Sequence, residues 1–124
     1  MRLAFSVLLI AHGVAHLVGF VVPWRLMAAP EMPYGTTILA GTVDIGDSGV
    51  RAVGVVWLIA AVAFVLLGSA LLAGVSVRAW LFAILGLSLA LCAVGWPDAR
   101  IGVAINAVLL GVLLLMPQLG TVAR

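Results

Sequence analysis

Four apolar stretches set the limits on what this chain can fold into: Leu3–Val22, Ala52–Ala73, Ala79–Trp96 and Ala99–Met116. Together they carry one charged residue, Arg100, near the start of the fourth. Runs of about 18 or more apolar residues read as membrane-spanning helices. At about 1.5 Å per residue each reaches roughly 27–33 Å, enough for a hydrocarbon core. The chain has 124 residues, of which 66% are hydrophobic and 8% charged, whereas globular domains run near 25% charged. A soluble domain this short buries only about 60–70% of its chain surface, so lipid has to take the place of water. The fold class expected is all-α: a polytopic integral membrane protein, a four-transmembrane-helix bundle, in one domain over residues 1–124.

The ends of the stretches carry punctuation. Pro23-Trp24-Arg25 closes the first, Gly74 and Arg78 bracket the next turn, and Trp96-Pro97-Asp98 joins the third to the fourth. Pro117 ends the last. Trp24, Trp80 and Trp96 fall at the interfaces, where amphipathic rings gather. The first stretch competes with a signal peptide, but His12 and His16 inside it and a Trp-Arg-Leu-Met sequence after it favour a retained span.

The one long connection, residues 23–50, holds Pro30 and Pro33 and then the partly alternating segment Thr36–Asp47. Gly41 at its middle permits a small hairpin; a loop lying on the membrane surface fits equally. Connections of this length are often functional. Short turns elsewhere place both termini on one side. Arg2, Arg78 and Arg124 lie there, against Arg25, Arg51 and Arg100 on the loop side. Glu31, Asp44, Asp47 and Asp98 are all on the loop side, which makes the terminal side the more positive, so the termini are expected in the cytoplasm. Arg as the sole basic residue, with abundant Ala, Val, Leu and Gly, points to a bacterial, inner-membrane protein.

His12 and His16 stand four apart and share a helix face one turn apart. Ionisable groups at that depth face the bundle interior. Ser88 and Cys92 on the third span and Asn106 on the fourth lie at matching depth. These five form either an interhelical hydrogen-bonded set or a ligand site lined by His12, His16, Ser88 and Asn106. Asn106 is the first partner expected for His12 and Ser88 the second; His16 is expected to meet water or a carboxylate under the loop. A pair at i, i+4 can grip a metal from one face but cannot flank one haem. Asp44, Asp47, Arg51 and Asp98 form a loop-side polar cluster, either solvated and paired or, with His16, open to a cation. Gly54, Ala61 and Gly68, and Gly102, Asn106 and Gly111, mark seams for close helix packing.

No basic stripe for nucleic acid is present, and Cys92 alone cannot form an internal disulfide. No metal signature, phosphate loop, nucleophile elbow or CxxC occurs, so the sequence names neither a metal nor a cofactor. The strings His12–Phe20 (HGVAHLVGF), Thr36–Asp47, Gly49–Leu58 and Gly95–Asn106 (GWPDARIGVAIN) resemble uncharacterised small four-span bacterial membrane proteins. In span count and size alone the chain is also similar to DoxX-like membrane proteins, some of which are linked to quinone or thiol redox work. The family resemblance implies that His12, His16, Asp44, Asp47, Arg51, Asp98 and Asn106 belong to its recognisable segments.

The first expectation is a non-catalytic packing, accessory or ligand-binding module in the lipid bilayer, associating with itself or with a larger membrane complex. The second is a redox or small-ligand protein taking quinone, haem or metal at His12 and His16. The third is a transporter subunit working as an oligomer.

Overall fold

A computed structural model describes residues 1–121; Arg124 lies outside the described residues. Helix α1, Arg2–Val21, is interrupted at Leu17. A two-stranded antiparallel hairpin follows, β1 (Thr37–Ile38) and β2 (Val43–Asp44), with Ile38 opposite Val43. Then come α2 (Gly46–Leu72), α3 (Arg78–Val94) and α4 (Arg100–Leu115). Within residues 23–50 the small hairpin around Gly41 is present, over residues 37–44.

Two helices, α1 with 20 residues and α2 with 27, are long and apolar enough to cross a membrane by themselves. The equal four-span division needs correction here, because α3 has 17 residues and α4 has 16. The apolar windows counted turn residues as helix. Pro97 has no N–H to continue a helix and restricts the residue before it, so α3 stops before Trp96; Pro117 ends α4 in the same way. Hydropathy errs in the opposite direction at α2. Asp47, Ser48 and Arg51 look like loop but form its first turns, where an acidic residue suits the positive helix end.

Small residues let α1 and α2 approach closely. A Cβ on Gly13 would sit 2.6 Å from the Phe64 Cβ, and one on Gly68 would sit 2.7 Å from Ile10 Cγ1. A Cβ on Gly54 would meet the Gly19 carbonyl and the Trp24 ring. The seven-residue seam Gly54, Ala61, Gly68 therefore faces α1 along its length. On α4, Gly102 lies against Cys92, with 2.6 Å between a built Cβ and its Sγ. Gly111 meets nothing within 4 Å, so it is not on that seam. The core runs through Leu9, Ala60, Phe64, Leu81, Leu85 and Leu109, all buried. Large apolar side chains such as Leu8, Ile59, Leu66, Trp80, Val108 and Leu115 stay exposed on the outer faces of all four helices.

Both ends of the bundle are stitched by backbone bonds. At the terminal end α2 stops in a Schellman motif, with Gly74 at φ 80° and bonds Gly74 N–H to Leu71 O and Val75 N–H to Ala70 O. The Gly120 carbonyl accepts from Val77 N–H (2.8 Å) and Arg78 N–H (2.9 Å), supplying orphan donors at the start of α3. The Arg78 guanidinium donates to the Pro117 and Leu119 carbonyls, each at 3.1 Å. At the loop end the hairpin tip does the matching work. Leu39 N–H donates to Val94 O and Ala40 N–H to Trp96 O, both at 2.9 Å, satisfying carbonyls at and just past the end of α3. To point those N–H groups there, Leu39 (φ 52°) and Ala40 (φ 57°) adopt left-handed backbone that costs non-glycine residues about 1–2 kcal/mol each.

Candidate functional site

The helix rotations set by the glycine seam turn His12 and His16 inward, leaving them 4% and 2% exposed. His16 Nδ1 lies 2.9 Å from the His12 carbonyl one turn back. A carbonyl can only accept, so Nδ1 carries the proton, and in a neutral imidazole Nε2 is then the acceptor. Ser88 Oγ lies 2.7 Å from that Nε2 and donates to it. With its one hydrogen used, the hydroxyl accepts from Asn106 Nδ2 at 2.8 Å and, more weakly, from His12 Nε2–H at 3.4 Å. Asn106 Nδ2 also donates to the Gly102 carbonyl at 2.8 Å, which fixes which end of the amide is nitrogen.

One hydroxyl on α3 thus ties α1 to α4. Ser88 makes one donation and two acceptances, its full capacity. Ser88, not Asn106, is the residue that both His rings meet. His16 packs on the Trp57 indole (centroids 5.0 Å apart) and on Phe64 (5.2 Å) rather than on a carboxylate. Cys92 is buried beside the same set, 3.7 Å from Asn106 Nδ2. Two polar atoms of this set are left without partners among the described residues, His12 Nδ1 and Asn106 Oδ1. With Nε2 protonated, both are acceptors.

The loop-side residues do not form one cluster. Asp47 Oδ2 pairs with Arg51 Nε at 3.2 Å, a contact without hydrogen-bond alignment. Its Oδ1 accepts from Arg25 Nη2 at 3.3 Å and from the Tyr34 hydroxyl. Arg25 also reaches Tyr34 Oη at 3.0 Å, and that hydroxyl, with the Asp47 charge, holds the guanidinium above its ordinary pKa. Arg25 closes α1 in left-handed backbone at φ 56°, with Leu26 N–H bonded to Val21 O. Asp44 turns to its own chain, accepting from Gly46 N–H at 2.9 Å. Asp98 makes no hydrogen bond or ion pair among the described residues. No group of three or more His, Cys, Asp or Glu is placed to hold a metal among the described residues.

Between the hairpin segment and the loop end of the bundle lies a cavity of about 310 Å³. Its walls include Tyr34, Ile38, Trp57, Trp96 and Asp98. Trp57 lines it while touching His16, so one indole separates the cavity from the buried hydrogen-bonded set. The indole fits there because Gly19 offers no side chain; a Cβ at that position would collide with the ring. Trp57, Tyr34, Trp96 and Arg25 were not marked as site residues from sequence. A Trp five residues inside an apolar stretch, away from the expected interface position, is the available signal for the first.

No family model, no curated protein and no solved structure matches the chain.

Proposed function

We propose that this chain is an integral membrane protein of a bacterial inner membrane, with all four helices crossing and the termini in the cytoplasm. It acts as a non-catalytic module that holds a small ligand under its hairpin. The crossing of α3 and α4 is supported by their apolar stretches, charged only at Arg100 near the start of the fourth, and by exposed apolar side chains: Trp80 on α3, and Ile101, Val108, Leu114 and Leu115 on α4. Turns at 95–99 and 116–120 lengthen both ends, and lipid accommodates a short helix at modest cost. The likeness to small four-span bacterial membrane proteins agrees with this reading, which includes association with a second copy or a larger complex.

The observation that carries the ligand reading is the cavity of about 310 Å³, at the lower end of the size range of small-molecule sites. Apolar residues make up most of its lining, together with Tyr34, Thr37 and Asp98, and Ala40 in that lining holds left-handed backbone, a kind of strain that accompanies ligand clamps. The test is co-purification: lipid and small-molecule extracts of protein isolated in mild detergent, compared between wild type and Gly41→Trp, which obstructs the roof. Equal extracts from both, with both folded, would remove the cavity from the proposal.

A second reading places the ligand at the buried set itself and is favoured by the unpartnered His12 Nδ1 and Asn106 Oδ1. Two orphan acceptors call for a donor or a cation. An absorption spectrum and metal analysis of the purified protein decide it; bound haem, quinone or metal lost in His12→Leu would establish the redox class.

A further inference from the structure

Charge divides unevenly around the loop-end cavity. The loop side carries three Arg and four acids, and Arg25 and Arg51 are both occupied by Asp47. Neither of them, nor Arg100, lines the cavity, whose one charged lining residue is Asp98. Among the described residues no basic side chain pairs with that carboxylate. Three aromatic rings, Tyr34, Trp57 and Trp96, share the same wall system, and because Arg25 already lies 4.6 Å over the Tyr34 ring, the two indoles are the ones left to meet a ligand. A carboxylate is acceptor-only, and aromatic faces carry negative quadrupoles, so both attract a cation and neither rewards an anion. Apolar Val22, Ile38, Val50 and Val53 complete the lining and suit a hydrocarbon body.

From this juxtaposition we infer that the cavity takes a small organic monocation with an apolar body, an alkylated or aryl amine, its charge held between Asp98 and the indoles. The inference rests on the cavity being a ligand site. Asp98 supplies the counter-charge, and Trp57 and Trp96 supply aromatic surface in the lining. A metal ion is a poor match, because one carboxylate among rings gives too few oxygen ligands.

The experiment compares matched probes by equilibrium dialysis of the full chain in mild detergent, against protein-free micelles. The probes are benzyltrimethylammonium, its neutral isostere neopentylbenzene and the anion benzenesulfonate. The cation is expected to bind about tenfold tighter than the neutral isostere, and the anion weakest. Asp98→Asn should remove about tenfold from the cation while sparing the neutral probe, and Asp98→Glu should restore part of it. Equal binding of cation and neutral probe by wild type overturns the charge inference and leaves the cavity as a ligand site. Unchanged cation binding in Asp98→Asn overturns it too. If neither probe binds above the micelle control, the ligand-site reading falls with it. The wild-type comparison decides the matter even if the Asn variant fails to fold.

Discussion

His16 Nε2 and Ser88 Oγ lie 2.7 Å apart, joining the first helix to the third across the middle of the bundle. Because the Nδ1 proton of His16 is committed to the His12 carbonyl, this bond has one direction: the hydroxyl donates and the imidazole accepts. The direction matters for what a substitution does. Removing the hydroxyl strips His16 of its donor and leaves the Asn106 and His12 N–H groups without their shared acceptor.

Ser88→Ala should therefore destabilise the protein by about 1–3 kcal/mol, the range for leaving buried polar groups unpaired. Thermal unfolding in mild detergent is the measurement. Paired with His16→Leu it should cost less than the two single changes added together. Strict additivity would mean that the two residues do not act on one another.

At the glycine seam, Gly13→Ala forces a methyl to within 2.6 Å of the Phe64 Cβ. Overpacking of this kind costs about 1–3 kcal/mol. Gly111→Ala is the contrasting case: nothing stands within 4 Å, and alanine is the better helix former by about 1 kcal/mol. Gly111→Ala should raise the unfolding temperature and Gly13→Ala should lower it. The reverse order would show that α1 and α2 do not pack as described.

Trypsin reads the loop-end cluster, since it cuts after arginine. With Arg25 bonded to Tyr34 and Asp47, cleavage after Arg25 should be slow in wild type and faster in Asp47→Asn and in Tyr34→Phe. The double variant should be little faster than either single one. Asp44→Asn, at a carboxylate that accepts from Gly46 N–H and does not reach Arg25, should leave the Arg25 cut unchanged.

Reporter fusions test the crossing of all four helices. Fusions after Pro33 and after Pro97 should report one side, and fusions at Val75 and after Arg124 the other. If Val75 and Pro97 report the same side, α3 does not cross; if Pro97 and Arg124 do, α4 does not.

Much of the depth relationship was legible by counting. Each apolar stretch has two marked ends, and the distance from an end places His12, Ser88, Cys92 and Asn106 near one level. Rotation about each helix axis was not legible, because it depends on which small residues seat against which neighbour. Ser88 rather than Asn106 at the centre is a result of that rotation. The helix ends at Val94 and Leu115 were overrun because Gly95, Trp96 and Met116 are as apolar as the helix before them. The Arg25–Tyr34–Asp47 contact joins residues 9 and 13 positions apart through irregular backbone, and no periodic pattern marks it.

Unequal helices give the molecule a perimeter of uneven height. Along α2 the 27 residues rise about 40 Å, while α3 and α4 offer only about 24–26 Å. Acyl chains beside the two short helices would have to compress below their resting thickness of about 30 Å, at a fraction of a kcal/mol for each ångström. On the proposed four-helix crossing, that elastic strain would belong to the lipid annulus, not to the protein, and would shrink whenever two thinned edges merged into one. Neighbours in the membrane would thus be drawn to the α3–α4 side before any side chains touch.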